Sequence, residues 1–154
     1  VESVSTICSQ AVKAGAVIFN CMSVEDVMIR EGRITGLVII WSPVQMAGLH
    51  VDPLTVASRW VIDATGHATE VLRVIERKAD VKLLTSTGKL LGERSMWAEK
   101  AEQMTVENTR VICPGVLVAG MSANAAFGGP RMGPVFGGML LSGRKAAQDI
   151  LARL

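Results

Sequence analysis

The chain has 154 residues, 49% of them hydrophobic and 19% charged, with a formal net charge of +2. That apolar content supports one core of ordinary size and excludes intrinsic disorder, which needs low hydrophobicity and high net charge. Lys and Arg are scattered rather than clustered, which speaks against nucleic acid, and no run approaches the roughly 18 apolar residues of a membrane-spanning helix.

Residues 5–14 predict the end of a helix, with Ile7, Ala11, Val12 and Ala14 as its apolar stripe and Gly15 as its stop. AVIFN (16–20) predicts a short buried strand. SVEDVMIR (23–30) and RITGLVIIW (33–41) are β-like runs separated by Glu31-Gly32, a hairpin signal. Residues 42–58 contain Pro43, Gly48 and Pro53 and predict a loop or an excursion from the sheet. RWVIDAT (59–65) predicts a strand ending at Gly66-His67, and ATEVLRVIERK (68–78) a helix. Residues 82–92 are polar and glycine-punctuated, which predicts a mobile surface connection. A short helix is expected over 95–104, a polar extended piece over 105–109, and a fully buried strand in GVLVAGM (115–121). Six glycines then fall between Gly128 and Gly143, ahead of an amphipathic helix reaching Leu154.

This alternation predicts an α/β domain with a largely parallel sheet and a small antiparallel meander over about residues 21–60. No G-x-G-x-x-G follows an early strand. If the fold binds a dinucleotide, its phosphate-binding first half is expected upstream of Val1, and residues 1–154 are a single partial dinucleotide-binding domain. The start, VESVSTICSQ, has no initiator Met, basic n-region or apolar h-region, which likewise suggests a piece of a longer chain. Cys8, Cys21 and Cys113 lie far apart without a C-x-x-C pair, so inert thiols in a reducing cytoplasm are expected.

Two histidines have informative settings. His50 stands two residues before Asp52, and in an extended segment such residues point to the same side. His67 follows a strand, at the end where open α/β sheets place ligands. One carboxylate and two imidazoles suit a divalent first-row metal, iron included. From spacing alone the plainer reading carries more weight: His50 as a loop residue and His67 as a helix-start residue bonded to backbone. In GGPRMGP (128–134), Pro134 is placed to open a helix, and Arg131 beside the free N–H groups offers a fork for a carboxylate or phosphate. A tight turn packing that helix on the sheet, with Gly137, Gly138 and Gly143 as close contacts and Arg131 as a solvated cap, fits equally well. Met121, Met132 and Met139 read as core packing; Glu99, Lys100, Glu102 and Glu107 read as a solvated face.

The segments NCMSVEDVMIREGRITGLVIIW, MAGLHVDPLT, VIDATGHATEV, EKAEQMTVENT, PGVLVAGM and GPRMGPVFGGMLLSG resemble the thiamine thiazole synthase family. The likeness is to its archaeal-type, sulfide-dependent branch, and it runs from about Val4 to Leu151. The resemblance implies the C-terminal portion of a glutathione-reductase-like, Rossmann-type FAD/NAD(P)-binding fold. It implies an ADP-thiazole synthase that converts NAD, glycine and sulfide to an adenylated thiazole carboxylate with release of nicotinamide, assisted by Fe(II). By the same match, Asp52 and His67 are iron ligands, the aspartate reaching the metal of a neighbouring protomer in a homo-oligomer. Val24, His50, Val51, Asp52 and Met121 line the NAD-derived ligand, and Arg131 binds the glycine carboxylate. His50 occupies the place where the eukaryotic branch holds a sulfur-donating cysteine, so free sulfide is expected to serve. Two other readings remain open. The first is an FAD-dependent oxidoreductase of the same fold, although Met121 stands where many flavoproteins use Asp. The second is a non-catalytic piece.

Overall fold

A computed structural model describes residues 1–154 as an α/β chain with two small sheets. Helix α1 (Glu2–Lys13) buries no residue. The AVIFN run that follows is not a strand: Val17, Ile18 and Phe19 are 75%, 55% and 65% exposed. Its composition calls for burial, but no strand of this chain pairs with it.

The hairpin forms where the alternation places it. Strands β1 (Met22–Arg30) and β2 (Arg33–Trp41) pair antiparallel around Glu31 (φ 50°) and Gly32 (φ 72°). Two left-handed residues in succession give a turn whose twist matches the strands it joins. The excursion after β2 is more ordered than its prolines and glycine suggest. Pro43 sits in the first turn of α2 (Ser42–Met46), and the chain returns as β3 (Leu54–Ala57), antiparallel to β2. The meander order is β1-β2-β3.

The second sheet has the order β4-β6-β5, built from β4 (Val61–Asp63), β5 (Arg110–Cys113) and β6 (Val116–Val118). The expected parallel arrangement holds only for β4 with β6; β5 runs antiparallel to β6. Pro114-Gly115 joins β5 to β6, and so short a link permits only an antiparallel pair. The same turn locks the two sheets together. The Ile34 N–H donates to the Pro114 carbonyl at 3.0 Å, and a Cβ on Gly115 (φ 88°) would stand 2.1 Å from the Ile34 carbonyl oxygen.

The main core lies where α3 (Glu70–Lys78) places Val71, Leu72, Val74 and Ile75 against Val27, Ile34, Val61, Ile112, Val116 and Val118. Residues 82–92 are pinned rather than loose. Leu83 is buried, and the N–H groups of Leu84, Leu90 and Leu91 donate to the Ile112 carbonyl, Glu76 Oε1 and the Ala126 carbonyl. Backbone groups anchor this stretch, so its polar composition carries no sign of it.

Helix α4 (Ala98–Asn108) absorbs most of the stretch expected to be extended. Two of its polar residues are inside: the Thr105 hydroxyl donates to the Ala101 carbonyl, and Asn108 Nδ2 donates to Asn124 Oδ1 on α5 (Met121–Phe127), while Glu99, Lys100 and Glu107 stay exposed as expected. Helix α6 (Gly137–Leu151) starts three residues after Pro134, not at it. Its first turn is satisfied from α4, because Glu102 Oε1 accepts from the Gly138 N–H at 3.1 Å. A Cβ on Gly138 would stand 2.6 Å from the Glu102 carbonyl oxygen, so glycine is what lets the two helices meet. Gly143, expected as a third close contact, faces open space.

Candidate functional site

Parallel strands β4 and β6 end side by side, and each runs into a glycine turn: Gly66-His67 after the first, Gly120-Met121 after the second. Both turns are held from beneath by buried polar groups. Asp63, fully buried at the end of β4, accepts from the Thr65 N–H (3.0 Å), the Thr65 hydroxyl (2.7 Å) and the Leu72 N–H (3.1 Å). The Ser122 hydroxyl sits between Asp63 Oδ1 at 3.1 Å and the Gly66 carbonyl at 3.0 Å. A carboxylate with this many donors fixes the path of the chain into His67. Under the other turn, the Gly120 N–H donates to Ser142 Oγ at 2.7 Å. Ser142 in turn pairs with the Thr109 hydroxyl, which donates to the Thr105 carbonyl.

The two turns border a cleft of about 420 Å³ lined by Gly66, His67, Gly120, Met121, Gly133 and Met139. At its edge one carboxylate links two of the residues singled out in the sequence. Glu93 Oε2 pairs with His67 Nδ1, and Glu93 Oε1 lies 3.5 Å from Arg131 Nη1. The backbone explains why Glu93 and Arg131 meet. The Arg94 N–H donates to the Gly129 carbonyl (2.9 Å), and the Arg131 N–H donates back to the Arg94 carbonyl (3.0 Å). This short parallel bridge laces residues 93–95 to the glycine-rich stretch. Arg131 was expected as a fork beside a helix N-terminus. It stands instead six residues ahead of α6, whose first turn is already served by Glu102, and it faces Glu93.

Of the other residues singled out, Met121 is buried at the cleft and packs with Ala101 and Met132. Val24 lies on β1, partly buried against the main core. His50, Val51 and Asp52 form part of the exposed connection between α2 and β3. No three His, Cys, Asp or Glu side chains of one chain come close enough together to hold a metal ion. The fold thus joins His67 to Arg131 and does not join either to the His50–Asp52 segment. Cys8 and Cys21 are exposed; Cys113 is buried, which pushes its thiol up to about 11.

Two contributors, Asp63 and Glu93, were not singled out from the sequence. Asp63 had a signal, a carboxylate at the end of an otherwise apolar strand, where burial demands partners. Glu93 had none, because its neighbours are brought in by backbone pairing across 35 residues of chain.

A cleft at the carboxyl ends of adjacent parallel strands, reached through glycine turns, is where α/β proteins of the ligand-binding class hold small molecules. Within that class the Thi4 family model matches residues 1–136, and the chain belongs to the Thi4 family. It is 63% identical over its whole length to the thiamine thiazole synthase of Desulfosudis oleivorans, covering 60% of that protein. The thiamine thiazole synthase of Methanothermobacter thermautotrophicus is 59% identical over the same 154 residues, again with 60% of its length covered. The crystal structure of Thermovibrio ammonificans THI4 superposes with a TM-score of 0.92 at 48% identity, over 97% of this chain and 58% of that one. The chain therefore spans about 60% of the length of the curated relatives it matches.

Proposed function

We propose that these 154 residues are the C-terminal part of a sulfide-dependent thiamine thiazole synthase. On this reading an upstream half supplies the phosphate-binding turn of a Rossmann-type, glutathione-reductase-like fold, and residues 1–154 are a partial dinucleotide-binding domain carrying the meander as an insertion. The reaction joins NAD, glycine and sulfide into an adenylated thiazole carboxylate and releases nicotinamide. The observation that carries the reading is the meeting of His67 and Arg131 through Glu93, at the strand-end cleft of a chain 63% identical to a thiamine thiazole synthase.

The roles follow from the chemistry of each group. Arg131, half exposed beside the cleft, offers a planar cation to the glycine carboxylate. Met121 and the two glycine turns give the NAD-derived ligand an apolar wall and close backbone approach, with Val24, His50 and Val51 as further lining. His50 carries no sulfur and its imidazole cannot replace a sulfur-donating thiol, so sulfide enters from solution. The donor set fits Fe(II): His67 uses Nδ1 on Glu93, which leaves Nε2 for the ion, and a nitrogen and carboxylate set suits ferrous iron. By the family resemblance, Asp52 is assigned to the ion of a neighbouring protomer in a homo-oligomer, an assignment with which the lack of three grouped donors within one chain is compatible. When bound, the iron would supply Lewis-acid assistance to the reaction. The setting is cytoplasmic; no helix is long and apolar enough to cross a membrane.

The test is His67→Ala and Asp52→Ala in the intact protein. Both variants are expected to lose iron and thiazole formation while keeping the wild-type circular dichroism spectrum. Unchanged iron content in either would remove the metal assignment.

A further inference from the structure

The geometry points to Glu93 as the positioning residue of this site: it fixes the tautomer and orientation of His67 and holds the Arg131 guanidinium on its other oxygen. This inference deepens the reading proposed above and rests on it for the roles of His67 and Arg131. The argument starts from donor and acceptor chemistry. An ionised carboxylate only accepts hydrogen bonds, so a neutral imidazole facing Glu93 through Nδ1 carries its proton there. Nε2 is then the bare nitrogen, the form in which imidazole binds a metal. Without the carboxylate, His67 is free to adopt the other tautomer and to rotate, since its side chain is 37% exposed and no other side chain bonds it.

Glu93 is itself well placed to direct both partners. Its side chain is only 24% exposed, and the segment that carries it is bonded to the Arg131 segment through Arg94 in both directions. One oxygen faces the imidazole and the other the guanidinium, so the carboxylate sets the spacing between the proposed metal-binding and glycine-binding groups.

The test uses Glu93→Ala and Glu93→Gln in the intact protein with three readouts. In metal-free wild type at alkaline pH, nitrogen NMR of His67 is expected to show Nδ1 protonated and Nε2 bare. Glu93→Gln keeps an acceptor and should preserve that tautomer, whereas Glu93→Ala should let the Nε2-protonated form appear. Cobalt(II), titrated alone as the probe ion, should bind roughly 10- to 100-fold more weakly to Glu93→Ala, with Glu93→Gln between it and wild type. The KM for glycine should rise in Glu93→Ala by a larger factor than kcat falls. A wild-type His67 protonated on Nε2, or a Glu93→Ala protein that keeps the wild-type tautomer and cobalt affinity, would overturn the inference. His67→Ala separates the two failures. If it keeps wild-type cobalt affinity, the metal reading fails. The tautomer measurement, which needs no metal, still decides whether Glu93 positions His67.

Discussion

The strand-end cleft and the connection between α2 and β3 carry the residues singled out for chemistry, yet they are built in opposite ways. At the cleft each turn is bonded from below, by Asp63 and Ser122 on one side and by Ser142 and Thr109 on the other. Every buried side-chain nitrogen and oxygen has a hydrogen-bond partner. In the connection, residues 47–57 are exposed throughout, and no side-chain hydrogen bond involves His50 or Asp52. The contrast teaches that one chain preorganises half of the proposed metal site and displays the other half outward. On the proposed reading such a site is completed by a second protomer, and the stability of the subunit should depend on the first half only.

Asp63→Ala should break that contrast most strongly. It removes a fully buried acceptor and leaves the Thr65 and Leu72 N–H groups without their partner, at a cost of about 3 kcal/mol or more. Asp52→Ala, on the exposed connection, should change unfolding free energy by less than about 0.5 kcal/mol. Denaturant melts of the two variants measure both numbers. Similar losses would contradict the division of the molecule into a built half and a displayed half.

A further small effect, set by pH, concerns how the meander is moored to α3. Lys78 Nζ lies 2.7 Å from Asp26 Oδ2 and is the leading cause of that carboxyl titrating below its ordinary value of 3.8. A carboxylate with a lowered folded pKa contributes stability above its unfolded pKa and loses it as pH falls through the lowered value. Both side chains are more than a third exposed, so the pair is worth under about 1 kcal/mol. Asp26→Asn should therefore lower stability slightly near neutral pH and converge with wild type in acid. Parallel curves across that range would assign the effect to packing instead.

Sequence legibility followed the same division. The hairpin, α3 and the buried β6 were readable because period and turn chemistry are local: Glu31-Gly32 and the Val71, Leu72, Val74, Ile75 stripe announce themselves. The composition of AVIFN and that of residues 82–92 mislead for opposite reasons. The first has strand composition without a partner in this chain, and the second has loop composition with backbone partners far away. Thr105 and Asn108 look like solvent-facing residues and are interior ones, because Asn124 waits on α5 to bond them. At the site, His67 and Arg131 stood out from their motifs. Their link through Glu93 did not, since it depends on a parallel bridge at Arg94 and Pro130.

The central claim is that the metal site takes His67 from one protomer and Asp52 from another. Mixing Asp52→Ala and His67→Ala subunits, each inactive alone, tests it directly. Random reassembly of equal amounts should restore iron binding at about a quarter of the wild-type sites, because that fraction pairs an intact aspartate with an intact histidine across the interface. No recovery from well-mixed oligomers would contradict the claim and return both ligands to a single chain.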